Sequence, residues 1–172
     1  VRLSNEEDLR RVHRLRAEVD AILVGVGTVL MDDPKLTVKS EYAKGRNPIR
    51  VVLDSDGKIP DRAHVLDGTA PTLIVTSEES TREFPHAEVL RCGKDEVDLA
   101  LLLDRLASRG IKTVLVEGGS TVIWSFLRHR LADELKVFIS SRVIGGHSAP
   151  TLAGGQGSTS LEDSIRLRLD RT

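Results

Sequence analysis

The sequence predicts an α/β protein with a mostly parallel central sheet covered on both faces. Three observations lead there. The strand candidates are short runs that are apolar throughout, as strands buried on both sides require. Stretches with helical spacing separate them. Glycines and small polar residues gather where strands end, as at Gly25-Val26-Gly27-Thr28 and Glu117-Gly118-Gly119-Ser120-Thr121.

Ser4-Asn5-Glu6-Glu7 has the form of a capping box, with Ser4 at the cap and Glu7 at the third helical position. Leu9, Val12, Leu15 and Val19 then share one helical face. That helix is expected to end near Asp20. Ala21 to Val26 reads as a buried strand, followed by a short turn of helix to Asp32-Asp33-Pro34. Tyr42 to Pro48 is a polar connection, and Ile49 to Leu53 a second strand closed by Asp54-Ser55-Asp56-Gly57. Thr72 to Thr76 is a third strand and Glu88 to Cys92 a fourth. Leu99, Leu102, Leu103 and Leu106 mark a helix ended by Gly110. Thr113 to Val116 is a fifth strand, Thr121 to His129 a helix, and Leu135 to Ile139 a sixth strand. Ile165, Leu167 and Leu169 alternate with Arg166, Arg168 and Asp170, a half-buried strand signal.

At 172 residues the chain suits a single domain, 1–172. Apolar residues make up 40% and charged residues 30%, with a formal net charge of -1, so neither a nucleic-acid surface nor a membrane surface is indicated. Aromatics at 3% leave little for a base-stacking platform. No apolar run approaches the roughly 20 residues that span a bilayer. Cys92 is the single cysteine, so an intrachain disulfide is excluded and a reducing cytoplasm fits.

In an open α/β sheet, ligands bind at the carboxyl ends of the strands. Three such ends carry small polar residues: Gly25 to Thr28, Asp54-Ser55, and Glu117 to Thr121. In the last, two glycines lead into a helix whose free N–H groups and positive end suit a phosphate. A helix start on a glycine turn fits this loop as well as a phosphate cradle does. Asp32-Asp33-Pro34 offers carboxylates for ribose hydroxyls or a cation, although a proline turn is the commoner origin of such a segment.

Standard motifs are missing. Leu30 replaces the third glycine of G-x-G-x-x-G, and no Gly-Lys-Ser/Thr occurs. His13, His64, His86, His129 and His147 are scattered without metal-motif spacing, so no metal is expected. His13 is expected to be partly packed. Gly118-Gly119-Ser120 is not a nucleophile elbow. Cys92 reads as a small core residue. Arg10, Arg11 and Arg14 to Arg16, on one helix with Glu6, Glu7, Asp8 and Glu18, suggest a solvated, salt-bridged face.

The segment from Val12 through Asp20-Ala21-Ile22-Leu23-Val24-Gly25-Val26-Gly27-Thr28-Val29-Leu30-Met31-Asp32-Asp33-Pro34 to Val38 resembles the reductase domain of riboflavin biosynthesis. Pro48 to Ser55 and Val116 to Thr121 resemble it too, in the same order, so the likeness covers nearly the whole chain. Val1 to Asp8 looks most like the stand-alone archaeal enzymes rather than the bacterial fusion with a deaminase.

The resemblance implies a dihydrofolate-reductase-like, three-layer α/β fold, a homodimer, a cytoplasmic location and NADPH as hydride donor. It implies a phosphorylated pyrimidine substrate, 2,5-diamino-6-(ribosylamino)pyrimidinone 5′-phosphate or its deaminated counterpart. Thr28, Asp32 and Ser55 would touch NADPH, and Gly118, Gly119, Ser120 and Thr121 would hold its phosphates. Leu36, Lys39 and Glu117 would face the substrate, with Glu117 as the catalytic candidate. Lys39 stands where the family commonly has arginine, which keeps the charge and loses the bidentate fork. The family's opening strand with its Ser-x-Asp-Gly-Lys loop and its closing strand pair are not evident, so the chain reads as trimmed at both ends. A dihydrofolate reductase relative and a non-catalytic nucleotide-binding module stay open on the sequence alone.

Overall fold

Successive side chains of a strand point to opposite faces, and here both faces are covered. The computed structural model describes residues 6–39, 41–42, 46–146 and 149–170. Its strands are β1 (Ala21–Gly25), β2 (Ile49–Leu53), β3 (Thr72–Thr76), β4 (Glu88–Arg91) and β5 (Val114–Gly118). The helices are α1 (Glu6–Glu18), α2 (Val26–Asp32), α3 (Leu99–Ser108) and α4 (Ser120–Arg128), with a 3-10 turn at His64–Leu66. On one face Ala21, Leu23, Val51, Leu73 and Val75 pack with Leu102 and Leu106 of α3 and Phe126 of α4. On the other, Ile22, Val24, Val52 and Ile74 pack with Val29 of α2, Val65, Leu66 and Phe84. The result is the three-layer α/β arrangement read from the sequence.

The strand order is β4-β3-β2-β1-β5, and every pairing is parallel. From β1 to β4 the chain steps steadily in one direction; β5 then returns to the far side of β1. The order therefore reverses between β1 and β5, where the segments leaving the two strands diverge and open a crevice at their carboxyl ends.

Among the described residues two charged side chains sit inside the fold, Arg50 and Asp54. Arg50, the second residue of β2, is fully buried. Its guanidinium donates to Thr72 Oγ1, to the carbonyls of Lys35, His64 and Ala70, and to Asp67 Oδ1. A buried cation is tolerable when its donors are matched in this way. Arg50 thereby ties the segment after α2 to the sheet, which positions part of the site.

Two strand expectations fail. Leu135 to Ile139 joins no sheet, and Val137, Phe138 and Ile139 are 51%, 42% and 92% exposed. The alternating run from Ile165 to Leu169 also lies outside the sheet. Apolar runs and alternation supply side chains for a strand but no neighbouring edge, and a strand exists only through its ladder. The capping-box Ser4 and the loop His147 lie outside the described residues.

Candidate active site

The β1–β5 crevice gathers most of the expected cofactor residues. Thr28 and Asp32, four apart on α2, share one face of that helix. Gly119, the N-cap of α4, stands against Thr28; a Cβ on it would lie 3.5 Å from Thr28 Oγ1. Gly118 has φ 132°, a conformation that glycine alone adopts easily, and the Gly118–Gly119 peptide is cis. No side chain caps α4, so the amides of its first turn keep their donors for a ligand. Ser120 and Thr121 begin that turn. The Gly154 amide donates to the Ser120 carbonyl at 3.0 Å, adding a second glycine-rich wall.

Glu117 stands at an irregularity of the sheet, directly before the glycine pair. Leu23 pairs with Val116 but Val24 pairs with Gly118, so Glu117 is the extra residue where the register shifts. Such bulges re-aim side chains and recur beside active sites. Arg16 of α1 meets the carboxylate as a fork, Nε to Oε1 and Nη2 to Oε2, both at 2.6 Å. Its Nη1 donates to the Thr37 carbonyl at 3.1 Å. Arg16 therefore joins Glu117 to the segment that carries Leu36 and Lys39.

That segment is held at several points. Leu36 has φ 50°, an uncommon conformation for a branched residue. Its side chain is packed in the core beneath the site rather than facing outward. The Val38 amide donates to Asn47 Oδ1, and the Lys39 amide to His13 Nδ1 at 3.4 Å. The Tyr42 amide donates to the Lys39 carbonyl at 2.9 Å. The His13 and Tyr42 rings stack, 5.9 Å between centroids and 5° from parallel. Burial, and then the nearby positive charges of Arg16 and Lys39, lower the His13 pKa.

Ser55 lies past the end of β2, two strands from β5, a lateral offset of about 10 Å. Its hydroxyl accepts from the Val97 amide at 3.3 Å, and its carbonyl accepts from Ser77. Ser55 is thus apart from the glycine loop but on the same edge. Asp54 is buried and accepts from the amides of Lys58 and Ile59, a turn-forming role. Asp33 adopts a left-handed conformation at the end of α2 and binds His64, so only Asp32 of the pair stands on the Thr28 face.

Sequence reasoning missed Arg16 and underrated His13. Arg14 to Arg16 were read together as a solvated face. Yet each helical residue turns about 100° from the last, and Arg16 faces the sheet with its side chain 16% exposed. Arg11 fits the expected surface role, pairing with Glu7 across one turn. The usable signal was spacing: His13 and Arg16 are three apart and share a face. Cys92 is buried, as expected. No cluster of three or more metal-ligating side chains occurs among the described residues, and no helix among them is long and apolar enough to cross a membrane.

A parallel five-stranded sheet covered on both faces, with a glycine loop and a bulged strand at its reversal point, defines a dihydrofolate-reductase-like α/β fold. The chain belongs to the RibD C-terminal domain family, whose sequence model matches residues 1–172. It is 48% identical over 176 residues to a 2,5-diamino-6-ribosylamino-4(3H)-pyrimidinone 5′-phosphate reductase of Methanothermobacter thermautotrophicus, covering 99% of this chain and 82% of that protein. An enzyme of the same name from Archaeoglobus fulgidus is 44% identical, with 91% and 77% covered. Among solved structures, a Thermotoga maritima deaminase/reductase superposes with TM-score 0.59 at 37% identity, over 73% of this chain and 35% of its own. RibD of Acinetobacter baumannii superposes with TM-score 0.81 at 23% identity, over 99% and 48%. The chain thus spans half or less of these two structures.

Proposed function

We propose that this chain reduces the ribosylamino group of 2,5-diamino-6-(ribosylamino)pyrimidinone 5′-phosphate to a ribitylamino group, with NADPH as hydride donor. The observation that carries the reading is the meeting of Thr28 with Gly119 at the sheet's reversal point, beside the bulged Glu117. The enzyme class, an oxidoreductase of riboflavin biosynthesis, follows from the family and the names of its members.

NADPH supplies a hydride when bound. The donor set fits its diphosphate: uncapped first-turn amides of α4, Ser120 and Thr121 for the oxygens, and a glycine where a side chain would block approach. Thr28 and Asp32 suit the ribose nearby, and Ser55 the far end of the dinucleotide. Lys39 offers its charge to the substrate phosphate. In the substrate, the C1′–O4′ bond breaks with a proton passing to O4′, leaving a C1′=N imine. Hydride then adds to C1′ and a proton to the nitrogen. Glu117, held by the Arg16 fork, is the side chain suited to balancing positive charge on an iminium. The protein mainly orients the reactants, a contribution of roughly 7–11 kcal/mol in well-aligned cases.

NADPH oxidation followed by absorbance tests this. Turnover is expected with the ribosylaminopyrimidine phosphate and none with dihydrofolate; turnover only with dihydrofolate, or cofactor binding without turnover, would sink the reading. The deaminated pyrimidine and NADH, run in parallel, settle both preferences. A cytoplasmic homodimer belongs to the same reading. Exposed Val137, Ile139, Leu167 and Leu169 support the dimer as apolar surface for a second copy, which sedimentation checks.

A further inference from the structure

Helix α1 touches the substrate side of the crevice twice. Arg16 serves Glu117 and Thr37. One turn earlier, His13 takes the Lys39 amide on Nδ1 and lays its ring against Tyr42. Leu36 directly precedes these contacts, and its left-handed backbone persists only because its surroundings impose it. A nitrogen that accepts from an amide must be unprotonated. The same contact therefore depends on the state of the imidazole.

We propose that His13 is a positioning residue for the substrate: unprotonated, it latches the Lys39 amide and stacks on Tyr42, fixing where Lys39 meets the substrate phosphate, and protonation of its ring releases the latch. This rests on the reading of Lys39 as the phosphate-binding cation. It assigns a role to a side chain that touches neither reactant.

The charges around the ring set the direction. Arg16 on α1 and Lys39 on the segment oppose a proton on His13, while Glu117 of β5 and Glu41 favour one; Arg10 and Arg14 act on Tyr42. Burial outweighs each, so the neutral ring is the resting form at neutral pH. With its pKa lowered from 6.5, His13 keeps the latch intact above that value and loses it as pH falls below.

The test compares wild type, His13→Ala and His13→Asn. Asparagine places an acceptor oxygen near the position of Nδ1 and does not titrate. The Lys39 backbone amide resonance is followed against pH alongside steady-state kinetics. In wild type that resonance should titrate with His13, and KM for the pyrimidine phosphate should rise on the acid side. His13→Ala should raise that KM roughly tenfold, the size of one hydrogen bond, with kcat and the NADPH KM far less affected. His13→Asn should restore most of the KM and flatten its pH dependence. A Lys39 amide indifferent to His13 protonation, or an unchanged KM in His13→Ala, overturns the latch. A wild-type protein without turnover instead overturns the functional reading and with it the substrate role, while the amide titration still decides whether the latch exists.

Discussion

Arg16 and Glu117, 101 residues apart in sequence, meet as a two-pronged ion pair with both contacts at 2.6 Å. The pair links the first helix to the bulge of the edge strand, and through Thr37 to the Leu36–Lys39 segment. The geometry matters more than the charge. A planar fork fixes the direction in which the carboxylate points, and an ammonium does not.

Arg16→Met leaves Glu117 largely buried with no cation. Charge-assisted hydrogen bonds contribute about 1.5–3 kcal/mol, and for a chain of this size each kcal/mol is about 2–4 °C in Tm. A melting point lower by several degrees and a kcat/KM lower by roughly a hundredfold, about 2.7 kcal/mol, are expected. Arg16→Lys should recover stability better than activity; equal recovery of both would remove the case for the fork. Calorimetry and steady-state kinetics supply the two readouts.

The floor of the crevice between β1 and β5 is set by contact between β1 and α4. A Cβ on Gly25 would lie 2.7 Å from Val122 Cγ2. Gly25→Ala should therefore push α4 outward, costing about 1–3 kcal/mol of stability and weakening NADPH binding. Val122→Ala in the same chain opens the space again. A double-mutant cycle should show favourable coupling, and simple additivity would show that the crowding is absorbed elsewhere.

Gly154 makes the opposite wall. A Cβ there would come within 2.5 Å of Ser120 Oγ and 3.2 Å of Ser120 Cβ. The hydroxyl turns aside readily, but the Cβ does not. Gly154→Ala should raise the NADPH dissociation constant several-fold, by about 1 kcal/mol, with little change in denaturation midpoint. Fluorescence titration of NADPH checks this.

Asp67 carries an acid-side signature. Burial pulls its carboxyl upward, but the hydroxyl and amide of Thr69 and the Arg50 guanidinium outweigh that and hold the pKa at about 2. A carboxyl lowered from 3.8 gives stability that is present above 3.8 and lost as pH falls toward about 2. Asp67→Asn should lose about 2 kcal/mol at neutral pH and show a shallower fall in stability through that window. Urea titrations at several pH values measure it.

Much of the fold is legible from composition and spacing alone. The three buried interior strands β1, β2 and β3, the helix α3 with Gly110 after it, and the glycine start of α4 all follow local rules. Leu135 to Ile139 and the Ile165–Leu169 alternation were not decided by local rules, because pairing partners are not encoded in a run's own pattern. Leu36 shows the same limit at the site: its proximity to the substrate side was read from resemblance, whereas its burial depends on Arg50 anchoring Lys35.

By itself, the sequence determined the layered parallel fold, the family likeness, and the residues at the strand ends: Thr28, Asp32, Ser55 and Glu117 to Thr121. The fold rests on local or short-range properties, set by periodicity, glycine and helix-start chemistry, whereas the individual site residues come from the family resemblance. Only the tertiary structure decided that β5 returns beside β1, that the register skips Glu117, and that Arg16 and His13 reach across from α1 to hold Glu117 and Lys39. Each of those is a contact between segments far apart in the chain, and its existence depends on which surfaces the packing brings together.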